Sequence, residues 1–206
     1  MKQFGVVCIF SEDSDLLFEQ TIRLRDKGYL VFATPNIYKF VRYAKELQPD
    51  LIIVDMDASA MRDSHVLEYL RNYKRLTDKP ILMVGKHFNH CYVGIAHYAT
   101  KPYVLKALDE IVESYCRGNK KHDVLLVDEC INADGKIKKA ILEQNLSCFE
   151  IADTNAACYY LKKNNPRCIC INLPYDKCVE AEQKLKHNKI FFVENYKQLK
   201  NLSRLI

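Results

Sequence analysis

Five side chains in the first half of the chain, Glu12, Asp13, Asp55, Asp57 and Lys101, are of the types that carry metal and phosphoryl chemistry. Carboxylates offer hard oxygen ligands to a cation such as Mg²⁺. A bound cation and an ammonium together neutralise an incoming phosphoryl group, and a central carboxylate can then act as the nucleophile. These groups lie far apart along the chain, so the fold must bring them together.

The apolar pattern supplies such a fold. Short apolar runs alternate with amphipathic stretches, as in βα units around a parallel sheet. Val6-Val7-Cys8-Ile9-Phe10 stops at Ser11-Glu12-Asp13-Ser14-Asp15, whose acidic and hydroxyl side chains suit a helix N-terminus, and Gly28 suits its end. A strand is expected over Tyr29–Ala33, then a helix with Ile37, Phe40, Val41, Ala44 and Leu47 on one face. Leu51-Ile52-Ile53-Val54 is continuously apolar, as in a strand buried on both faces, and it delivers Asp55 and Asp57 to its C-terminal end. A helix with Val66, Leu67 and Leu70 follows, then a strand from Ile81 to Val84 closed by Gly85. Lys86–Ala96 suits a short helix or a loop, and a fifth strand is expected around Ile95–Thr100. The helix from Pro102 carries Val104, Leu105, Leu108, Ile111, Val112 and Tyr115 along one face. Strand C-termini in such a sheet converge on one edge, where ligands bind, and Glu12, Asp55 and Lys101 all fall there.

After the polar stretch Arg117–His122 the pattern restarts. Val124-Leu125-Leu126-Val127 ends at Asp128-Glu129 as the first run ends at Ser11-Glu12. Phe32–Asn36 (FATPN) is echoed by Ile151–Asn155 (IADTN), and Pro49–Asp55 (PDLIIVD) by Pro166–Asn172 (PRCICIN). Glu12 precedes Asp55 by 43 positions, and Glu129 precedes Asn172 by the same 43. Three echoes in order favour an internal duplication. The expected organisation is one unit over residues 1–116, a linker over 117–122, and a shorter second unit over 123–206. That second unit ends after Ile190-Phe191-Phe192-Val193 and one helix with Tyr196, Leu199 and Leu202, one βα unit short.

Composition narrows the function classes. The net charge of +5 is mild and the lysines are dispersed, which argues against a nucleic-acid binder. Nine cysteines show no CxxC pair, and Cys168 and Cys170 should point to one side of a strand. Reduced, mostly buried thiols are expected, and with no apolar run of spanning length and no signal peptide, a cytoplasmic protein without membrane contact. His87, His90, Cys91 and His97 match no established zinc spacing. Asp55 alone suits a strand-end turn, and Lys101 a surface position before a helix. Only their combination carries chemistry.

On that combination the chain resembles bacterial response-regulator receiver domains. The matching features are the pair after the first strand, here Ser11-Glu12, the aspartate in IIVDMD, here Asp55, and Lys101-Pro102 before the last helix, within a span of about Gln3 to Cys116. The resemblance implies two flavodoxin-like (receiver-like) α/β units, the second truncated. It implies Asp55 as phosphoryl acceptor, Lys101 as its catalytic partner, a weakened Mg²⁺ site of Glu12, Asp55 and the backbone carbonyl of Asp57, and Tyr98 as a switch aromatic. The departures are Ser11 in the acidic pair, Gly85 where the family carries a Ser or Thr hydroxyl, and Ala58-Ser59 and Asp63 in place of the Met-Pro and Gly that usually follow the aspartate. In the second copy Asp128 and Glu129 survive, Asn172 replaces the aspartate, and Glu194 stands at the lysine position, which makes it a pseudo-receiver. The expected function is therefore non-enzymatic two-component signalling. A degenerate receiver accepts phosphate on Asp55 from a histidine kinase and acts through protein–protein interaction, with a homodimer through the Pro102–Cys116 helix. The alternative is a phosphorylation-independent scaffold or dimerisation module. No residues follow the second copy to build a DNA-binding or catalytic output domain.

Overall fold

A computed structural model describes residues 4–61, 65–86, 88, 94–101, 105–118, 121–129, 135–186, 189–193 and 196–206. The readings that fall on Asp63, His87, His90, Cys91, Pro102, Val104 and Glu194 lie outside the described residues. The first unit runs β1 (Val6–Phe10), α1 (Ser14–Asp26), β2 (Leu30–Thr34), α2 (Ile37–Leu47), β3 (Leu51–Asp55), α3 (His65–Asn72), β4 (Ile81–Gly85), β5 (His97–Thr100) and α4 (Leu105–Cys116). Its five strands are parallel in the order β2-β1-β3-β4-β5, that of a flavodoxin-like sheet.

Local chemistry sets the boundaries. Asp13 caps α1, its carboxylate accepting the N–H groups of Asp15 and Leu16, and Asn36 caps α2 through the Lys39 N–H. Gly28 ends α1 at φ 88°, a left-handed conformation that glycine adopts without cost. Strands β3 and β4 are buried throughout because helices cover both faces. Alternation sends Val7, Ile9, Leu51 and Ile53 to the face shared with α1 and α4, and Cys8, Phe10, Ile52 and Val54 to the face under α2 and α3.

The second unit runs β6 (Val124–Asp128), α5 (Lys136–Leu142), β7 (Cys148–Ile151), α6 (Thr154–Leu161), β8 (Cys168–Asn172), α7 (Tyr175–Leu185), β9 (Ile190–Phe192) and α8 (Leu202–Leu205). The order β7-β6-β8-β9, again parallel, repeats the first four places of the first sheet and stops there. Cys168 and Cys170 share one face with Ile141 and Val193, as alternation requires. The single C-terminal helix expected over Tyr196, Leu199 and Leu202 is instead a 3₁₀ turn, Tyr196–Leu199, followed by α8. Asn201 at φ −124° interrupts it, and Gln144 bridges the break. Its amide donates to the Leu199 carbonyl and its Oε1 accepts the Ser203 N–H.

The two sheets share one core. His97 on β5 and Tyr115 on α4 pack with Phe149 on β7, and Phe149 stacks on Tyr160 of α6 at 4.9 Å. The Ala152 N–H donates to the Ala96 carbonyl, joining the two chain segments by a backbone bond of 2.9 Å. Asp50, just before β3, accepts the Tyr159 hydroxyl at 2.8 Å and the Lys163 ammonium at 2.6 Å, and Lys163 also donates to the Tyr115 carbonyl. The C-terminal end of helix α4 is tied to the second unit, the Ser114 and Tyr115 carbonyls accepting from Asn164 and Lys163 just beyond α6. The polar connector is anchored as well. Arg117 lies 3.8 Å over the Phe4 ring, and buried His122 meets the Tyr160 hydroxyl. Gly118, at φ 67°, is required there because a Cβ would fall 2.7 Å from the Lys163 carbonyl oxygen.

Candidate functional site

The C-terminal ends of β1, β3 and β5 bring Ser11, Asp55 and Lys101 into one hydrogen-bonded group. Asp55, the last residue of β3, is only 2% exposed. Its Oδ1 receives the Lys101 ammonium at 2.6 Å and the Asp57 N–H at 3.1 Å. Its Oδ2 receives the Ser11 hydroxyl at 2.5 Å. Lys101 is aimed by the sheet, because its own N–H bonds the Gly85 carbonyl beyond the last β4–β5 pair. The same ammonium reaches Asp57 Oδ2 at 3.2 Å, and Asp57 Oδ1 takes the Lys86 N–H.

One ammonium therefore serves two carboxylates, and hydroxyl and backbone donors satisfy the remaining lone pairs. Burial by itself would raise the Asp57 carboxyl, but the Lys86 N–H and the Lys101 ammonium outweigh it and hold it below the usual carboxylate range. Burial would likewise lower the Lys101 ammonium, and its bonds to Asp55 and Asp57 raise it instead. Lys101 stays charged.

Glu12 takes another path. Its carboxylate turns to the loop after β3, accepting the Ser59 N–H at 2.7 Å, the Ser59 hydroxyl at 3.0 Å and the Ala60 N–H at 3.2 Å. It caps the 3₁₀ turn Ser59–Met61 much as Asp13 caps α1. Of the expected Mg²⁺ ligands, the Glu12 carboxylate is thus bonded to the loop after β3. Among the described residues no group of three or more His, Cys, Asp or Glu side chains is arranged to hold a metal ion. In this arrangement Glu12 accepts from the Ser59 and Ala60 N–H groups and Lys101 lies between the two aspartates. Gly85 supplies no hydroxyl, though space does not forbid one: a Cβ there would meet Met56 Cβ and the Phe88 ring at 3.4 Å and Asp57 Oδ1 at 3.5 Å.

Tyr98, the expected switch, packs edge-on against Phe88 and also lines a crevice of about 170 Å³ between the units. Across that crevice lie Glu129, Asp153 and Lys177 of the second unit. At this second edge the counterparts part company. Asp128 is buried and registers with Asn172 across β6 and β8, while Glu129 pairs with Lys177 of α7 at 2.5 Å. Asn172 opens into a different cavity, of about 530 Å³, along α7 and β9. Sequence reasoning missed Ser11 as a direct partner of Asp55, and Lys177 as the cation of the second edge. A lysine two residues into the helix after β8 was the available signal for the latter.

No protein-family model and no curated protein sequence matches the chain. Solved structures do. The chemotaxis response regulator CheY4 of Vibrio cholerae is 19% identical, with 54% of this chain and 98% of that chain covered at a TM-score of 0.50. A two-component response regulator from Clostridium difficile is 20% identical, with 56% and 98% covered at a TM-score of 0.48. A share of that size is what the five-stranded unit fills, and identities this low speak to fold alone. The five-stranded unit has the fold of a response-regulator receiver domain.

Proposed function

We propose that the chain is a signalling protein of the two-component type whose receiver-like site works as a fixed lock, and whose output is the binding of a partner protein without phosphorylation. The observation that carries this reading is the saturation of Asp55. Ser11 holds one carboxylate oxygen and Lys101 the other, in a residue only 2% exposed. An incoming phosphoryl group needs one of those oxygens as a nucleophile with a cation beside it, and Glu12 is spent on Ser59 and Ala60. The lock instead ties β1, β3 and β5 together at their ends, which favours one arrangement of the surrounding loops. Neither edge then acts as an enzyme, and the second unit serves as a pseudo-receiver.

A second reading is supported by the 2.6 Å contact of Lys101 with Asp55, the pair that would neutralise a phosphoryl group delivered by a histidine kinase. One experiment separates the two. The protein is incubated with acetyl phosphate and Mg²⁺ and its intact mass recorded, with Asp55→Asn alongside. The lock reading expects no added mass. A single phosphoryl adduct that Asp55→Asn abolishes would replace it with the phosphoacceptor reading.

A further inference from the structure

The second sheet ends at β9, where the first continues into β5, and the open margin leaves apolar surface in water. Phe192 is 43% exposed although its neighbour at i−2, Ile190, packs against the shared core, so alternation turns both toward the face that carries α7. Together with α7 it forms the 530 Å³ cavity. On the helix side the wall is Tyr175, Cys178, Val179 and Glu182, spaced i, i+3, i+4 and i+7, one continuous stripe. Tyr175 is 87% exposed and Val179 49%. Scattered apolar residues on a surface are ordinary, but a stripe beside a hollow is the form of an interface.

We propose that this face binds a second copy of the chain, with a two-fold axis crossing α7 between Cys178 and Val179. The patch carries its own complement. Tyr175 projects beside the hollow that its counterpart can enter, which is what a two-fold interface requires of a single surface. Antiparallel packing of two α7 helices about that axis sets Tyr175 of one copy against Glu182 of the other. The tyrosine hydroxyl then donates to a carboxylate that is exposed and unbonded among the described residues. Cys178 falls beside Val179 of the second copy, and Phe192 loses its water.

Light scattering on the full chain, from micromolar to millimolar protein, tests this. The expected mass rises with concentration from 24.0 kDa toward twice that value. Val179→Lys and Tyr175→Lys, both at exposed positions, weaken the association at least tenfold. Ile22→Lys, on the exposed face of α1, leaves it unchanged. Mild oxidation traps a disulfide-linked pair that Cys178→Ser abolishes. A mass of 24.0 kDa at every concentration overturns the proposal. So does an association that survives both α7 substitutions, or one that Ile22→Lys destroys.

Discussion

The ends of β3 and β8 hold the same place in two sheets of the same order, yet they treat charge differently. At β3 the carboxylate is buried, and its cation comes along the sheet from Lys101 at the end of β5. At β8 the place of the carboxylate is taken by Asn172, and among the described residues no fifth strand delivers a lysine. The cation there comes from the following helix, Lys177, and it pairs with Glu129 at the end of β6 in a half-exposed bridge. The difference teaches what the fifth strand does in this fold. It aims a cation at the centre of the sheet edge, and a unit without it keeps the strands but loses the buried ion pair.

The comparison presumes that both edges belong to one folding body, which gives the largest expected effect. Phe149 is buried between His97 and Tyr115 of the first unit and Tyr160 of the second. Phe149→Ala should cost about 3–5 kcal/mol, the usual range for a buried phenylalanine, and urea unfolding followed by circular dichroism should remain one transition. Two separated transitions would mean independent units. Next comes the edge itself. Asp55→Ala leaves the buried Ser11 hydroxyl without its acceptor and the Lys101 ammonium with Asp57 alone, and should cost about 3 kcal/mol, whereas Asn172→Ala should cost less than about 1 kcal/mol. Equal costs in chemical denaturation would erase the distinction between the edges.

The sequence anticipates the Asp55–Lys101 pairing because strand ends converge whatever the loops do, and apolar periodicity fixes which strands are present. The fate of Glu12 is not anticipated, because it depends on the loop after β3 presenting the Ser59 and Ala60 N–H groups, which compete for the carboxylate. The duplication is legible in PDLIIVD and PRCICIN, but the closeness of the two units is not. His97, His122 and Arg117 break the apolar pattern, and each is accommodated by a particular partner: His97 packs on Phe149 across the seam, His122 meets the Tyr160 hydroxyl, and Arg117 stacks on Phe4 of the first unit. Arg117–His122 therefore reads as a polar linker, while Arg117 and His122 are anchored.

That seam makes the first unit's margin sensitive to acid in a way the second edge is not. Burial, with Lys138 adding to it, pushes the His97 imidazole down to about 3 from an ordinary value near 6.5, so it meets the Tyr115 hydroxyl at 2.9 Å as a neutral ring. The unfolded chain takes up this proton first. Stability should therefore fall as the pH drops from about 6.5 toward about 3. Burial would raise the Asp50 carboxyl, but Lys163, the Val6 N–H and Tyr159 hold it low, so its contribution is present above its ordinary value of 3.8 and fades only below it. Urea midpoints measured between neutral pH and about 4 should thus decline mainly through His97. His97→Phe, which keeps the ring, should flatten that slope. An unchanged slope would move its origin to other groups.

The smallest expected effect bears on the second edge alone. Lys177 is 44% exposed at its side chain and Glu129 27%. The hydrogen bond to Glu129 raises the Lys177 ammonium above its ordinary value, but water and salt screen so exposed a pair. Lys177→Met should cost no more than about 0.5 kcal/mol at moderate salt, a loss that shrinks further as salt is added. The matching Lys101→Met strands a nearly inaccessible carboxylate and should cost about 3 kcal/mol with little response to salt. If the two substitutions prove alike in size and in salt response, the second edge also holds a structural ion pair, and the fifth strand is not what separates the two units.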